Sequence, residues 1–314
     1  MPRTIGDDLV EPIARILRSS IDAGDGGTEE QHSVLRAIVT GLFGRPDLDV
    51  EALALLTPEG AADAVTDHDA RRRVREMMVL LESCRHPLTE EQVSLVERYA
   101  AALGESGPGL AIARDLVSNG AEQALADYMR FSDDIMLEIA EPSLVATDMG
   151  EDDPNPELAD RLRATHDLPE GTLGWEYVEF YRRNKLTYPG DDPHTPAVFV
   201  AHDMTHVIAG YEPTGAGEIA LGAFQLAMND SDAHWIVFLG NLAIHEAGYF
   251  NAQGFEGKTA TLTRPGAIEL LTGAFERGSQ CTDDFSAADH LGMMDVQLSE
   301  IRARYGVPET EPLG

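Results

Sequence analysis

Lysine is almost missing from this 314-residue chain. Lys185 and Lys258 stand beside 21 arginines, and these 23 cations face 55 acidic side chains for a formal charge of -32. The deficit runs the whole length, with 13 basic against 28 acidic side chains in residues 1–150 and 10 against 27 in residues 151–314. Neither half is a basic module. Binding to nucleic acid or to an anionic bilayer rests on Lys and Arg neutralising phosphates, so nucleic acid is excluded as a partner and membrane contact is at most peripheral. The densest basic run, Arg71-Arg72-Arg73-Val74-Arg75, reads as a solvated helix face.

Cysteine is as scarce. Cys84 and Cys281 are too few for a disulfide framework or a thiolate zinc cluster and read as small buried hydrophobes in a reducing compartment. The longest apolar stretch, Trp235 to Leu239 with its continuation to Ile244, is broken by Gly240 and Asn241 and is too short for a bilayer span. The opening residues, MPRTIGDDLVEP, lack the basic and apolar regions of a signal peptide, so a soluble cytoplasmic protein is expected. Also absent are a Gly-rich phosphate loop, a nucleophile elbow with Ser, His and Asp, and a Cys/His nucleophile motif. Strand-like alternation is nowhere convincing, which leaves an all-α fold.

What is present is helical punctuation. Residues 28–44, TEEQHSVLRAIVTGLFG, and 89–104, TEEQVSLVERYAAALG, are near-repeats of one unit. Thr28 and Thr89 sit at N-cap positions with Gln31 and Gln92 three residues on, a reciprocal capping box, and Gly44 and Gly104 fit the left-handed position past a helix end. Between the copies Val74, Met77, Met78 and Leu81 recur at helical spacing, an amphipathic helix ended near His86-Pro87. The first half therefore reads as a helical bundle over residues 1–141 built on a duplication. Residues 142–157 combine three prolines with five acidic side chains and no helical period, which places a linker at 142–156 and a second domain at 157–314.

The chemistry concentrates in that second domain. His202-Asp203-Met204-Thr205-His206 sets two imidazoles four residues apart, about 6 Å between β-carbons on one helix face. A helix running from Thr195-Pro196 through this cluster stops at Gly210, and a Gly-rich turn returns the chain into a helix starting near Glu218. Antiparallel packing of the two helices brings Glu218 back to the height of His206, with Asp203 completing the set from the edge. Two imidazoles and two carboxylates, without thiolate, suit Zn, Mn or Fe(II). The same residues also admit a plainer reading, in which His-Asp is a side-chain hydrogen bond and Glu218 a first-turn carboxylate opposing the helix dipole. His166 before Leu168-Pro169 reads as loop and cap. His234 and His245 read as core histidines, and Glu246 as a local polar partner of His245. Residues 233–250 are apolar on nearly every face, which suits a buried helix or the wall of an apolar cavity.

H-D-x-x-H followed by eleven residues and Glu, preceded by Leu168-Pro-Glu-Gly-Thr-Leu-Gly174 and Tyr177, resembles the metal-binding family of coenzyme Q (ubiquinone) biosynthesis. The resemblance spans residues 157–305, and Ile301-Arg-Ala-Arg-Tyr-Gly-Val-Pro308 is similar to that family's closing segment. It implies His202, Asp203, His206 and Glu218 as ligands of a divalent metal, zinc first. It implies a homodimer with an apolar channel for a polyprenyl tail, removing the ring C1 carboxylate of a prenylated quinone precursor by oxidative decarboxylation, or serving as a non-catalytic prenyl-lipid scaffold for quinone-pathway enzymes. Two features depart from it: the segment His194 to Ala201 carries no arginine, and the first half is an addition. That half resembles the TerB-like helical domains associated with tellurite resistance. A lesser alternative is an HD-type phosphohydrolase, which the immediate HxxxH and the downstream Glu fit poorly.

Overall fold

The computed structural model describes residues 5–24, 26–119, 123–124, 126–128, 130, 138–144, 154–192, 195, 197–247 and 260–309. Short polar side chains start most of its helices by accepting an orphan backbone N–H from the first turn. After α1 (Asp7–Ser20), Thr28 opens α2 (Glu29–Ala37), Thr57 α3 (Pro58–Ala64), Asp67 α4 (His68–Ser83) and Thr89 α5 (Glu90–Leu103). Helix α6 (Pro108–Asn119) completes the first half. In the second half Asn155 caps α7 (Pro156–Ala164) and Thr172 caps α8 (Leu173–Asn184). Helix α9 (Phe199–Ala209) follows, then α10 (Gly215–Met228) on Thr214 and α11 (Asp232–His245) on Ser231. Helices α12 (Ala267–Gly278) and α13 (Leu298–Tyr305) close the order. The described residues hold no strand, only the isolated bridge between Thr172 and Gln297, and the class is all-α as expected. None of their helices is long and apolar enough to cross a membrane.

The repeated unit holds at its starts and diverges at its ends. Thr28 and Gln31 form the full reciprocal box, but Gln92 leaves its own cap and donates to the Ser20 carbonyl at 2.8 Å. Gln31 in turn donates to Gln92 Oε1 at 3.2 Å and to the Leu81 carbonyl at 3.0 Å, so the two equivalent glutamines meet, fully buried, between the copies. Gly104 ends α5 in the left-handed conformation at φ 76°. The first copy instead widens into a π turn, Ile38–Leu42, before Gly44 turns left-handed at φ 67°. The wider turn presents Gly41 to α12, where a β-carbon would come 2.6 Å from the Thr272 carbonyl. Glycine is required there because backbone meets backbone.

That contact joins the two halves, and others repeat it. One continuous cluster of buried side chains includes Leu17, Leu35 and Met78 of the first half with Phe224, Phe238 and Phe275 of the second. The arginine run, expected on a solvated face, is instead spent on internal acceptors. Arg71 donates to the carbonyls of Ala62, Val65 and Leu103. Arg73 is buried, its guanidinium reaching Glu76 at 2.7 Å, Asp230 at 2.7 Å and Asp232 at 2.9 Å while lying 5.5 Å from the Trp235 ring centroid. Glu246, expected to serve His245, bonds across the halves to His86 at 2.9 Å and accepts the Leu262 N–H at 2.7 Å. Of the expected linker, residues 145–153 lie outside the described residues, and Pro156 is already the first residue of α7. Cys84 and Cys281 are free and buried.

One buried carboxyl in α4 works against the fold. Glu82 is buried, neither oxygen has a hydrogen-bond partner among the described residues, and burial, reinforced by Glu97 and opposed by Arg114, pushes its pKa well above the carboxylate range. Below the unfolded pKa of 4.5 both states hold the proton; as pH rises past it only the unfolded chain releases it, so the folded state loses stability. Glu82→Met is expected to stabilise the protein by about 1–3 kcal/mol, the cost of an unpaired buried polar group. The gain in denaturant midpoint should be larger at pH 7 than at pH 5; equal gains would mean Glu82 is not held protonated.

Candidate metal centre

The site forms where α9 turns back into α10. His202 and His206 lie one turn apart on α9, whose end is fixed by Gly210 in the left-handed region at φ 82°. Helix α9 starts at Phe199, past the expected Thr195-Pro196, and α10 starts at Gly215, three residues before Glu218. The Thr214 hydroxyl accepts the Gly217 N–H at 3.1 Å, which puts Glu218 in the first turn of α10. A β-carbon at Gly217 would stand 1.9 Å from the Glu212 carbonyl, so only glycine permits this tight return.

The return brings three ligand atoms together. His202 Nε2 and His206 Nε2 are 3.2 Å apart, and each is 3.2 Å from Glu218 Oε2. Two donors and an acceptor carboxylate in a near-equilateral triangle do not make a good hydrogen-bond set, since the imidazole nitrogens confront one another. Ligands bound tetrahedrally at about 2.0–2.1 Å have edges of roughly 3.3 Å, close to what the triangle shows. The second nitrogen agrees: His206 Nδ1 lies 3.0 Å from the Tyr211 carbonyl, which fixes a proton on Nδ1 and leaves the Nε2 lone pair for the centre. The donor set fits a divalent cation.

The carboxylate and the imidazoles set one another's charge. Burial alone would raise the Glu218 carboxyl, yet His206 and His202 outweigh it and hold Glu218 well below the usual range. Burial pulls His202 down, but the hydrogen bond and charge of Glu218, with the charge of Asp203, push it up to about 9.

Asp203, expected as the fourth ligand, is not among the residues whose ligand atoms gather within 4.8 Å. Its Oδ2 accepts the phenol O–H of Tyr181 from α8. Tyr181 is itself buried, clamped between Tyr177 and Tyr188 at ring-centroid distances of 4.5 Å on both sides. Burial, with Tyr177 and Asp203 adding, keeps its pKa well above 10 and the phenol a donor. Turning Asp203 to the centre would orphan that buried hydroxyl, at about 1–3 kcal/mol. Spacing put Asp203 at the edge of the set; a residue from another helix decides where it points.

The upstream motif proves to be the clasp that delivers α8. Thr172 pairs with Gln297, Leu173 N–H donates to Val296 at 2.9 Å and Gly174 N–H to Met294 at 2.9 Å, so Leu168 to Gly174 is pinned to the segment before α13. Two further residues hold α9, Arg277 and the Arg302 of the closing segment, and neither has a role legible in the sequence. Arg302 donates to the carbonyls of Ile208 and Val207 at 2.9 and 3.0 Å, and Arg277 to that of Ala209 at 2.8 Å, satisfying the orphan acceptors at the helix end. No local spacing marks either.

Among the described residues, the other histidines stay outside the centre. His234 is buried and satisfied by Ser231 and Ser286 at 2.7 and 3.0 Å, as a core histidine, and burial lowers its pKa. His166 stacks on Trp175 and pairs with Glu179 at 2.8 Å. Helix α11 packs inward, with Phe238 against Phe275, and residues 248–250 of the expected apolar segment lie outside the described residues, as does His194.

No family model and no curated protein matches the chain. Among solved structures it matches a crystal structure from Nostoc punctiforme of a protein provisionally named for ubiquinone biosynthesis, at 20% identity over 77% of this chain and 99% of that one. The TM-score of 0.33 is too low for the likeness to speak for this chain's fold or function.

Proposed function

We propose that this chain is a divalent-metal protein of prenylated-quinone biosynthesis, acting on a prenylated aromatic ring acid. The observation that carries the metal half is the triangle of His202 Nε2, His206 Nε2 and Glu218 Oε2 at 3.2 Å on every edge. The substrate half is supported by the ubiquinone-type motif pair, Leu168 to Gly174 and the cluster from His202 to Glu218.

Nitrogen and oxygen donors with one carboxylate suit zinc first, with Mn and Fe(II) compatible. When bound, the ion would supply Lewis acidity toward the oxygens of a ring carboxylate or phenolate. The chain's own contributions follow from the geometry. His202, His206 and Glu218 hold the charge; the Tyr211 carbonyl keeps the His206 proton on Nδ1; Arg277 and Arg302 fix the end of α9; and buried α10 and α11 exclude water from the side facing the core. Replacing the C1 carboxylate by hydroxyl is a two-electron oxidation, so an external acceptor such as dioxygen is required.

Elemental analysis with native mass spectrometry of the isolated protein is expected to find one divalent metal per chain. A single-turnover assay with a carboxylated prenylphenol and dioxygen is expected to yield the decarboxylated, hydroxylated ring. Copurifying lipid without turnover would move the assignment to a prenyl-lipid carrier or scaffold, and a metal-free protein that takes up no added zinc would end it.

A further inference from the structure

We infer that Asp203 is a positioning residue and not a metal ligand, and that the triad of His202, His206 and Glu218 keeps one coordination position for an anionic oxygen donor from outside the chain. The inference rests on the metal reading and sharpens it. Three protein ligands with one place left is the arrangement of catalytic zinc sites, whereas structural sites close with four.

Three observations converge. The first is the Tyr181–Asp203 bond, held by an aromatic stack in which half-buried Tyr188 lies nearly parallel to buried Tyr181 at an interplanar angle of 18°. That bond ties α8 to α9 beside His202 and occupies the carboxylate that would otherwise close the site. The second is charge: an ion that displaces the His202 proton would be held by two neutral imidazoles and one carboxylate, leaving one positive charge for a carboxylate or phenolate oxygen to neutralise. Ligation by Asp203 would have removed that attraction. The third is access. The His202 and Glu218 side chains are 22% and 15% exposed while His206 is 0% exposed, so the triad opens along its His202–Glu218 edge.

Cobalt(II) substitution of the full chain, with benzoate as the anion probe, tests this without reference to turnover. Wild type is expected to show the visible bands of tetrahedral cobalt and to shift them on benzoate addition. Asp203→Asn, which can still accept from Tyr181, should keep cobalt affinity within about tenfold, less than removal of a ligand produces, and keep the bands. Tyr181→Phe frees Asp203 to compete for the open position, so benzoate affinity should fall by about 10–100-fold at unchanged cobalt stoichiometry. In Tyr181→Phe with Asp203→Asn that loss should be rescued, which a merely structural role for Tyr181 would not produce. Bands altered by Asp203→Asn alone, or bands in wild type that ignore benzoate, overturn the inference while leaving the metal site intact. A wild-type chain with no cobalt bands overturns both together.

Discussion

Replacing His206 by alanine is expected to lower divalent-metal affinity by about 10²–10³-fold: the roughly 10–16 kcal/mol with which four-ligand structural sites bind zinc comes to about 3 kcal/mol per ligand. His206 is the member of the triad with most to lose. It is 0% exposed, its Nε2 touches both other ligands, and its Nδ1 is committed to the Tyr211 carbonyl. Its ring also stacks on Phe180 at 5.7 Å, so alanine leaves a small cavity beside α8. His202→Ala, at a partly exposed position, serves as the companion variant. Competition titration against a chelator, with circular dichroism for helicity, should show both variants folded and both stripped of metal. Unchanged affinity in two folded variants would remove the metal site from this protein, and with it the proposed activity.

Arg73→Met is expected to destabilise the chain by roughly 3–5 kcal/mol, the range for breaking a buried ion pair from one side. The guanidinium is buried among Glu76, Asp230 and Asp232 and donates to the Asp230 carbonyl at 2.8 Å. Methionine fills most of the volume but takes the shared cation from all three carboxylates, leaving Glu76 to Arg75, Asp230 to the Trp235 indole N–H and the exposed Asp232 to Arg72, and burial already raises the Glu76 pKa despite Arg73. The loss should appear as a fall in the denaturant midpoint. Because Arg73 lies on α4 and its partners flank the start of α11, the weakened contact is the one between the halves. A loss below about 1 kcal/mol, typical of an exposed pair, would mean that solvent or other cations take over its role.

Much of the centre was legible locally. The pitch of a helix places His206 above His202, Gly210 stops that helix, and a short turn has few ways to go but back, so Glu218 had to return near His206. Thr28, Thr89 and Gly104 read correctly for the same reason: caps are decided within four residues. Where a side chain's partner lies far along the chain, the reading failed. The arginine run looked solvated because nothing near residue 73 balances it fully; Asp230 and Asp232 lie more than 150 positions on. Asp203 looked like a ligand because its nearest neighbours are candidate ligands, whereas Tyr181 reaches it from α8. The LPEGTLG segment marked the site by association, and only its pairing with residues 294–297 shows what it does.

The sequence by itself determined the all-α class, the helix punctuation and the meeting of two histidines with one glutamate, because periodicity, capping and turn length act over a few residues. The tertiary structure decided that Asp203 faces Tyr181, that Arg277 and Arg302 hold the end of α9, and that the two halves share one core. Those outcomes depend on which helix faces come to rest against each other, and burial makes each unpaired polar group expensive enough to choose its partner from anywhere in the chain.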